Sequence, residues 1–170
     1  MIVILMGVSG AGKTTIGHAL SAATGWTFAD ADDFHTAESK RKMSEGHPLT
    51  DADRAPWLQR LNQQILAWAQ TKTNAILACS ALREAYRDAL GQGVPAGVAR
   101  FVYLTAPEAV IRERVAGRRG HYMPASLLPS QLATLEPPAD ALPICVVPPV
   151  AVVVAEIQKK LQIAPHRDNE

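Results

Sequence analysis

Gly7-Val8-Ser9-Gly10-Ala11-Gly12-Lys13-Thr14 carries the spacing G-x-x-x-x-G-K-[ST]. Glycines at these points let the backbone turn several N–H groups inward, and a helix starting at the end of the motif adds its positive N-terminus, which makes an anion cradle. In such a loop Lys13 reaches the β- and γ-phosphates of a nucleotide and the Thr14 hydroxyl ligates magnesium. Gly7 to Thr15 are therefore the expected nucleotide-binding residues. The match follows an apolar run, Ile2 to Met6, and precedes a segment of helical period, so its context fits as well as its letters.

A second group is acidic. Asp30 and Asp32 follow an expected second strand, at the sheet edge where parallel sheets bind ligands. Their spacing of two puts both on one side of an extended segment, where one can hold a water-bound magnesium and the other can accept a proton from a substrate hydroxyl. Asp33 is a turn cap or a weaker third candidate, and His35 is either a partner for a sugar hydroxyl or a solvated loop residue.

A third group is basic. Phosphoryl transfer needs cations around the equatorial oxygens. Arg114 and Arg118 are spaced by four at a helix end beside Arg119, and Gly117 and Gly120 give that segment the freedom of a closing flap. Arg54, Arg83 and Lys42 remain as candidates for an anionic substrate. Arg54 stands in the first turn of a helix, where the dipole disfavours a cation. That position suits a functional role, or a salt bridge to Asp51 or Asp53.

Positioning these groups calls for alternating strands and helices. Strands are expected at residues 2–6, 26–29, 75–79, 99–104 and 142–147. Helices are expected over about 12–24, from an N-cap at Thr36 through Met43, from an N-cap at Asp51, from near Leu82 and Pro107, and over Val150 to Leu161. Trp57, Leu58, Leu61, Ile65 and Trp68 form a stripe at steps of three and four that reads as core. The economical arrangement is an α/β fold of five parallel strands with helices on both faces. A single domain over residues 1–163, with a frayed tail at 164–170, accommodates all of it.

At 170 residues, 48% hydrophobic, 19% charged and +1 in formal charge, the chain has the composition of a globular domain and lacks the basic excess of a nucleic-acid binder. Cys79 and Cys145 sit in apolar runs outside any zinc spacing and are expected to be buried free thiols. The apolar start is too short for a signal peptide and no later run reaches membrane-spanning length, so the cytoplasm is the expected compartment.

Several stretches in order resemble the gluconokinases of the shikimate-kinase-like P-loop group: GVSGAGKT (7–14), DADDFH (30–35), Lys42-Met43, Gly46 and Pro48-Leu49, and DADRAPWL (51–58). CSALREAYRD (79–88), RVAGRRGHYM (114–123) and SQLATLE (130–136) complete the set. The resemblance runs to about residue 138. It implies ATP:gluconate 6-phosphotransfer with magnesium, a three-layer fold of strand order 2-3-1-4-5, a mobile lid within 114–124, and a homodimer. It further implies Asp30 as the metal-associated acid and Asp32 as the base, with Lys13 and Arg118 catalytic. Gluconate contacts would then come from Asp32, His35, Lys42, Arg54, Arg83, His121 and Gln131. Arg83 and Leu132 depart from the Lys and Phe common in that family, and the segment from Ala139 onward matches poorly and is expected to lie far from the motifs. A kinase for another small hydroxy acid or a nucleoside monophosphate would share the loop, acidic pair and lid, whereas DRAPWL and CSAL favour gluconate. A regulatory nucleotide binder would be expected to have lost Lys13, Asp32 or the lid arginines, which are all present.

Overall fold

The computed structural model describes residues 1–117 and 125–166. Its centre is β1 (Ile2–Met6), a strand with no polar residue and no exposed side chain. Such a strand must be covered on both faces, and the alternation of its side chains builds two cores. Val3 and Leu5 join Ile16 and Leu20 of α1 (Lys13–Thr24) and Val153 and Ile157 of α7 (Val150–Leu161). Ile2, Ile4 and Met6 join Trp57, Leu61 and Ile65 of α3 (Asp51–Gln70) and Leu90 of α4 (Glu84–Gly91).

The flanking strands are β2 (Thr27–Asp30), β3 (Ala75–Ala78), β4 (Ala99–Thr105) and β5 (Leu142–Cys145). All pairings are parallel, in the order β2-β3-β1-β4-β5, and Ile2 stands opposite both Ala75 and Ala99. The fold is therefore the three-layer P-loop kinase arrangement with the expected strand order. Among the described residues no helix is long and apolar enough to cross a membrane.

Two local expectations change. Thr50, not Asp51, caps α3: its hydroxyl accepts from Asp53 N–H while the Asp53 carboxylate accepts from Thr50 N–H, a reciprocal capping box that moves Asp51 into the first helical turn. Cys145 is exposed, because β5 is the sheet edge and its alternation turns Ile144 inward and Cys145 outward. Cys79 is buried as expected, and burial pushes its thiol up to about 12, which rules it out as a nucleophile. Between β4 and β5 lie α5 (Glu108–Ala116) and a further helix, α6 (Leu128–Thr134). Thr36 caps α2 (Ala37–Ser44) as expected.

Candidate active site

The loop between β1 and α1 ends on Gly12, whose φ of 84° is left-handed and which offers no side chain to cap the helix. The first N–H groups of α1 are thus left for a ligand. Gly10, at φ +88°, packs so closely on α5 that a Cβ there would lie 2.7 Å from Val115 Cγ2. Lys13 folds back over its own loop, donating from Nζ to the Gly7 carbonyl (2.9 Å) and the Val8 carbonyl (3.1 Å). On the other side, the Ser9 N–H donates to Gln131 Oε1 of α6 at 2.7 Å.

Asp30 ends β2 and is held from two sides. Thr14 Oγ1 donates to its Oδ2 (2.7 Å), and the Asp32 N–H donates to its Oδ1 (3.0 Å), which caps the short 3-10 turn that follows. This turn brings the Asp32 side chain into the cleft with Lys13, Thr14 and Asp30, whereas Asp33 stands outside the lining. His35 also lines the cleft. Its ring stacks on Trp57 (centroids 4.4 Å apart, planes at 8°), and its Nδ1 is buried with no hydrogen-bond partner among the described residues. Burial first, then the positive charges of Lys40, Arg54 and Arg60, push its pKa down to about 4, so the ring is neutral at pH 7. Trp57 is core, as its stripe implies, but it is also a wall of the site: its Nε1 donates to the Ala31 carbonyl at 2.7 Å, pinning the turn that carries Asp32.

The opposite wall comes from α3 and α4. Arg54 lines the cleft with 24% of its side chain exposed, and its Nη1 donates to the Tyr86 hydroxyl oxygen at 3.2 Å. Of the other two candidate cations, Lys42 pairs with Asp53 at 2.6 Å and Arg83 with Asp51 at 2.9 Å, and both stand outside the lining. Arg114 lies on the far side of the phosphate loop. It donates to the Val146 carbonyl at 2.6 Å and shares a second groove with Gly10, Gly12, Thr15 and the 146–150 segment. The C-terminal region is therefore next to the phosphate loop and not remote from it. Arg118 and His121 lie outside the described residues.

The loop after β3 joins these walls. The Ser80 carbonyl accepts from the Gly7 N–H (3.2 Å), and the Leu82 carbonyl accepts from the Glu136 N–H (2.8 Å). Arg87, buried, donates to the Ala81, Leu82 and Glu136 carbonyls and so ties the two segments together. Ala81 holds φ at 44°, a left-handed conformation that a non-glycine residue adopts at some cost. Sequence reasoning did not single out Tyr86, Ser80 or Leu127 as cleft residues. For Tyr86 there was a signal, since it follows Arg83 by three on one helix.

One cleft thus brings together Ser9, Lys13, Thr14, Asp30, Asp32, His35, Arg54 and Gln131. An anion cradle, a carboxylate able to take a proton and a cation lining one cleft form an arrangement suited to moving a phosphoryl group onto an anionic alcohol.

Residues 2–138 match the family described as "AAA domain". The chain is 40% identical over 174 residues to the probable gluconokinase of Xenopus tropicalis, covering 93% of this chain and 92% of the relative. It is 45% identical over 142 residues to the gluconokinase of Gluconobacter oxydans, covering 83% and 78%. The crystal structure of a gluconokinase from Sinorhizobium meliloti superposes with a TM-score of 0.82 at 42% identity, over 94% of this chain and 90% of that one. With the phosphate loop, the acidic turn and the Arg54 wall in one cleft, this chain belongs to the gluconokinase family of P-loop kinases.

Proposed function

We propose that the protein transfers the γ-phosphoryl group of ATP to the 6-hydroxyl of D-gluconate, giving 6-phospho-D-gluconate and ADP. The observation that carries this reading is the placement of Asp32 and Arg54 in the same cleft as Lys13. The loop from Gly7 to Thr15 holds the triphosphate, with the adenosine end directed to the groove beside Arg114 and Val146. Lys13 exchanges the Gly7 and Val8 carbonyls for phosphate oxygens. Asp32 takes the proton of the attacking hydroxyl as the new O–P bond forms and the bond from the γ-phosphorus to the bridging oxygen breaks, leaving with ADP. Arg54 pairs with the gluconate carboxylate, and His35, neutral and anchored on Trp57, meets a hydroxyl of the chain.

Thr14 and Asp30 fit a magnesium ion, which takes hard oxygen ligands and is usually held through one or two protein groups with phosphates and waters. When bound, the ion neutralises charge on the transferring phosphate. Arg118 and His121 are assigned to the lid by the family pattern, and the same pattern supports a homodimer working in the cytoplasm. A coupled assay of ADP release tests the reading: gluconate should be turned over, and substrate-independent release should stay at background.

A further inference from the structure

Arg83 and Arg54 are equally suited by charge to read a substrate carboxylate, yet the structure gives them different surroundings. Arg54 faces the cleft. Arg83, the N-cap residue of α4, turns to the rim, where its Nη1 donates to Asp51 Oδ2 at 2.9 Å. The other oxygen of the same carboxylate, Oδ1, accepts the Tyr86 hydroxyl proton. Arg54 completes the group, with Nη1 3.2 Å from the Tyr86 oxygen and 3.7 Å from Asp51 Oδ1.

Two consequences follow from counting protons and charges. A phenol has one proton, and here it is spent on Asp51, so the Tyr86 oxygen offers only lone pairs to Arg54 and to the cleft. A phenol oxygen so placed can orient Arg54 and accept from a substrate hydroxyl, but it cannot donate to a carboxylate. Second, Asp51 is the anion nearest to Arg54 among the described ion pairs, and its side chain is 65% exposed. Without Arg83 it keeps only the Tyr86 hydroxyl among these partners and can close the 3.7 Å to Arg54, tightening a pair that the substrate carboxylate must then displace.

We propose that Arg83 is a positioning residue and not a substrate ligand: it holds Asp51 at the rim, 3.7 Å from Arg54 and short of a direct hydrogen bond, so that Asp51 fixes the Tyr86 proton and Arg54 keeps its N–H donors for the substrate carboxylate. The proposal rests on the gluconate reading above. It predicts a sign that direct contact would not give. Arg83→Gln releases Asp51 and should raise KM for gluconate about 3- to 5-fold, the scale of one partly exposed ion pair. Adding Asp51→Asn removes the competing charge and should bring KM back to within about 2-fold of wild type. Arg83→Lys, which keeps the pair with Asp51, should stay close to wild type, and kcat and KM for ATP should not move in any of these variants.

The test is steady-state kinetics of the three variants beside wild type, with thermal melts to confirm that each is folded. A double variant impaired as much as Arg83→Gln, or more, would overturn the proposal in favour of direct contact, and an unchanged KM in Arg83→Gln would overturn it as well. A wild type inert to gluconate would refute the proposed function alone. The variants would then be compared on whichever sugar acid the wild type turns over, where recovery in the double variant supports the positioning role and its absence refutes it.

Discussion

Arg54→Met removes one charge from the cleft while keeping most of the side-chain volume. In the structure the guanidinium donates from Nη1 to the Tyr86 oxygen at 3.2 Å, lies 3.7 Å from Asp51 Oδ1, and is three-quarters buried, with 24% of the side chain exposed. A hydrogen bond to a charged group is worth about 1.5–3 kcal/mol. At about 1.4 kcal/mol per tenfold, its loss lowers kcat/KM for gluconate by about 10- to 100-fold. The loss should appear almost wholly in KM, because the carboxylate is far along the substrate from the transferred group and is held equally before and at the transition state. Stability should change little: the Tyr86 hydroxyl still donates to Asp51, so no buried donor is orphaned. The assay is ADP release with gluconate titrated at saturating ATP, then ATP titrated at saturating gluconate. A gluconate KM within about 2-fold of wild type, or an equal rise in KM for ATP, would refute the assignment of Arg54 as the carboxylate partner.

Three further outcomes are expected. Asp32→Asn should lower kcat by about 10²–10⁴-fold with KM for ATP little changed, measured in the same assay; a surviving kcat with an altered magnesium requirement would exchange the roles of Asp30 and Asp32. Gly10→Ala forces a Cβ to 2.7 Å from Val115 Cγ2 at a φ of +88° and should weaken nucleotide binding, read by fluorescent-nucleotide titration, while leaving the gluconate wall intact. His35 titrates near 6.5 when unfolded and at about 4 when folded, so below pH 6.5 the unfolded chain binds a proton that the folded chain excludes. Stability should therefore be flat in this respect above pH 7 and fall as pH drops from about 6.5 towards 4, by about 1 kcal/mol after allowing for solvent at the partly exposed ring. In denaturant melts across that range, His35→Gln should remove this part of the slope.

The parts of the fold and site legible in the sequence are those fixed by neighbours along the chain. Ile2 to Met6 reads as a central strand because every residue is apolar, and the Trp57 to Trp68 stripe reads as a core face because its period is helical. The phosphate loop and acidic turn are equally local, and both fall where the spacing puts them. What escaped depends on contacts across the chain. The choice of Thr50 over Asp51 as cap turns on whether Asp53 can fold back, which either residue type allows. The exposure of Cys145 follows from β5 being an edge, which strand spacing alone does not show. The closeness of 146–150 to the phosphate loop follows from the position of β5 beside β4 and from the bond between Arg114 and Val146. The separation of Arg54 from Arg83 likewise depends on Asp51, 32 positions from Arg83 in the chain.

The central claim is that one cleft pairs a phosphate loop with a cation that reads a sugar acid. It is tested most directly by ADP release from the wild-type protein with gluconate and with glucose, which differ at the carboxylate end. An Arg54 left facing a neutral sugar loses its charged partner, at a penalty of about 1–3 kcal/mol. Turnover with gluconate exceeding that with glucose by about tenfold or more in kcat/KM is the predicted result. Equal turnover of the two, or turnover of neither, would contradict it.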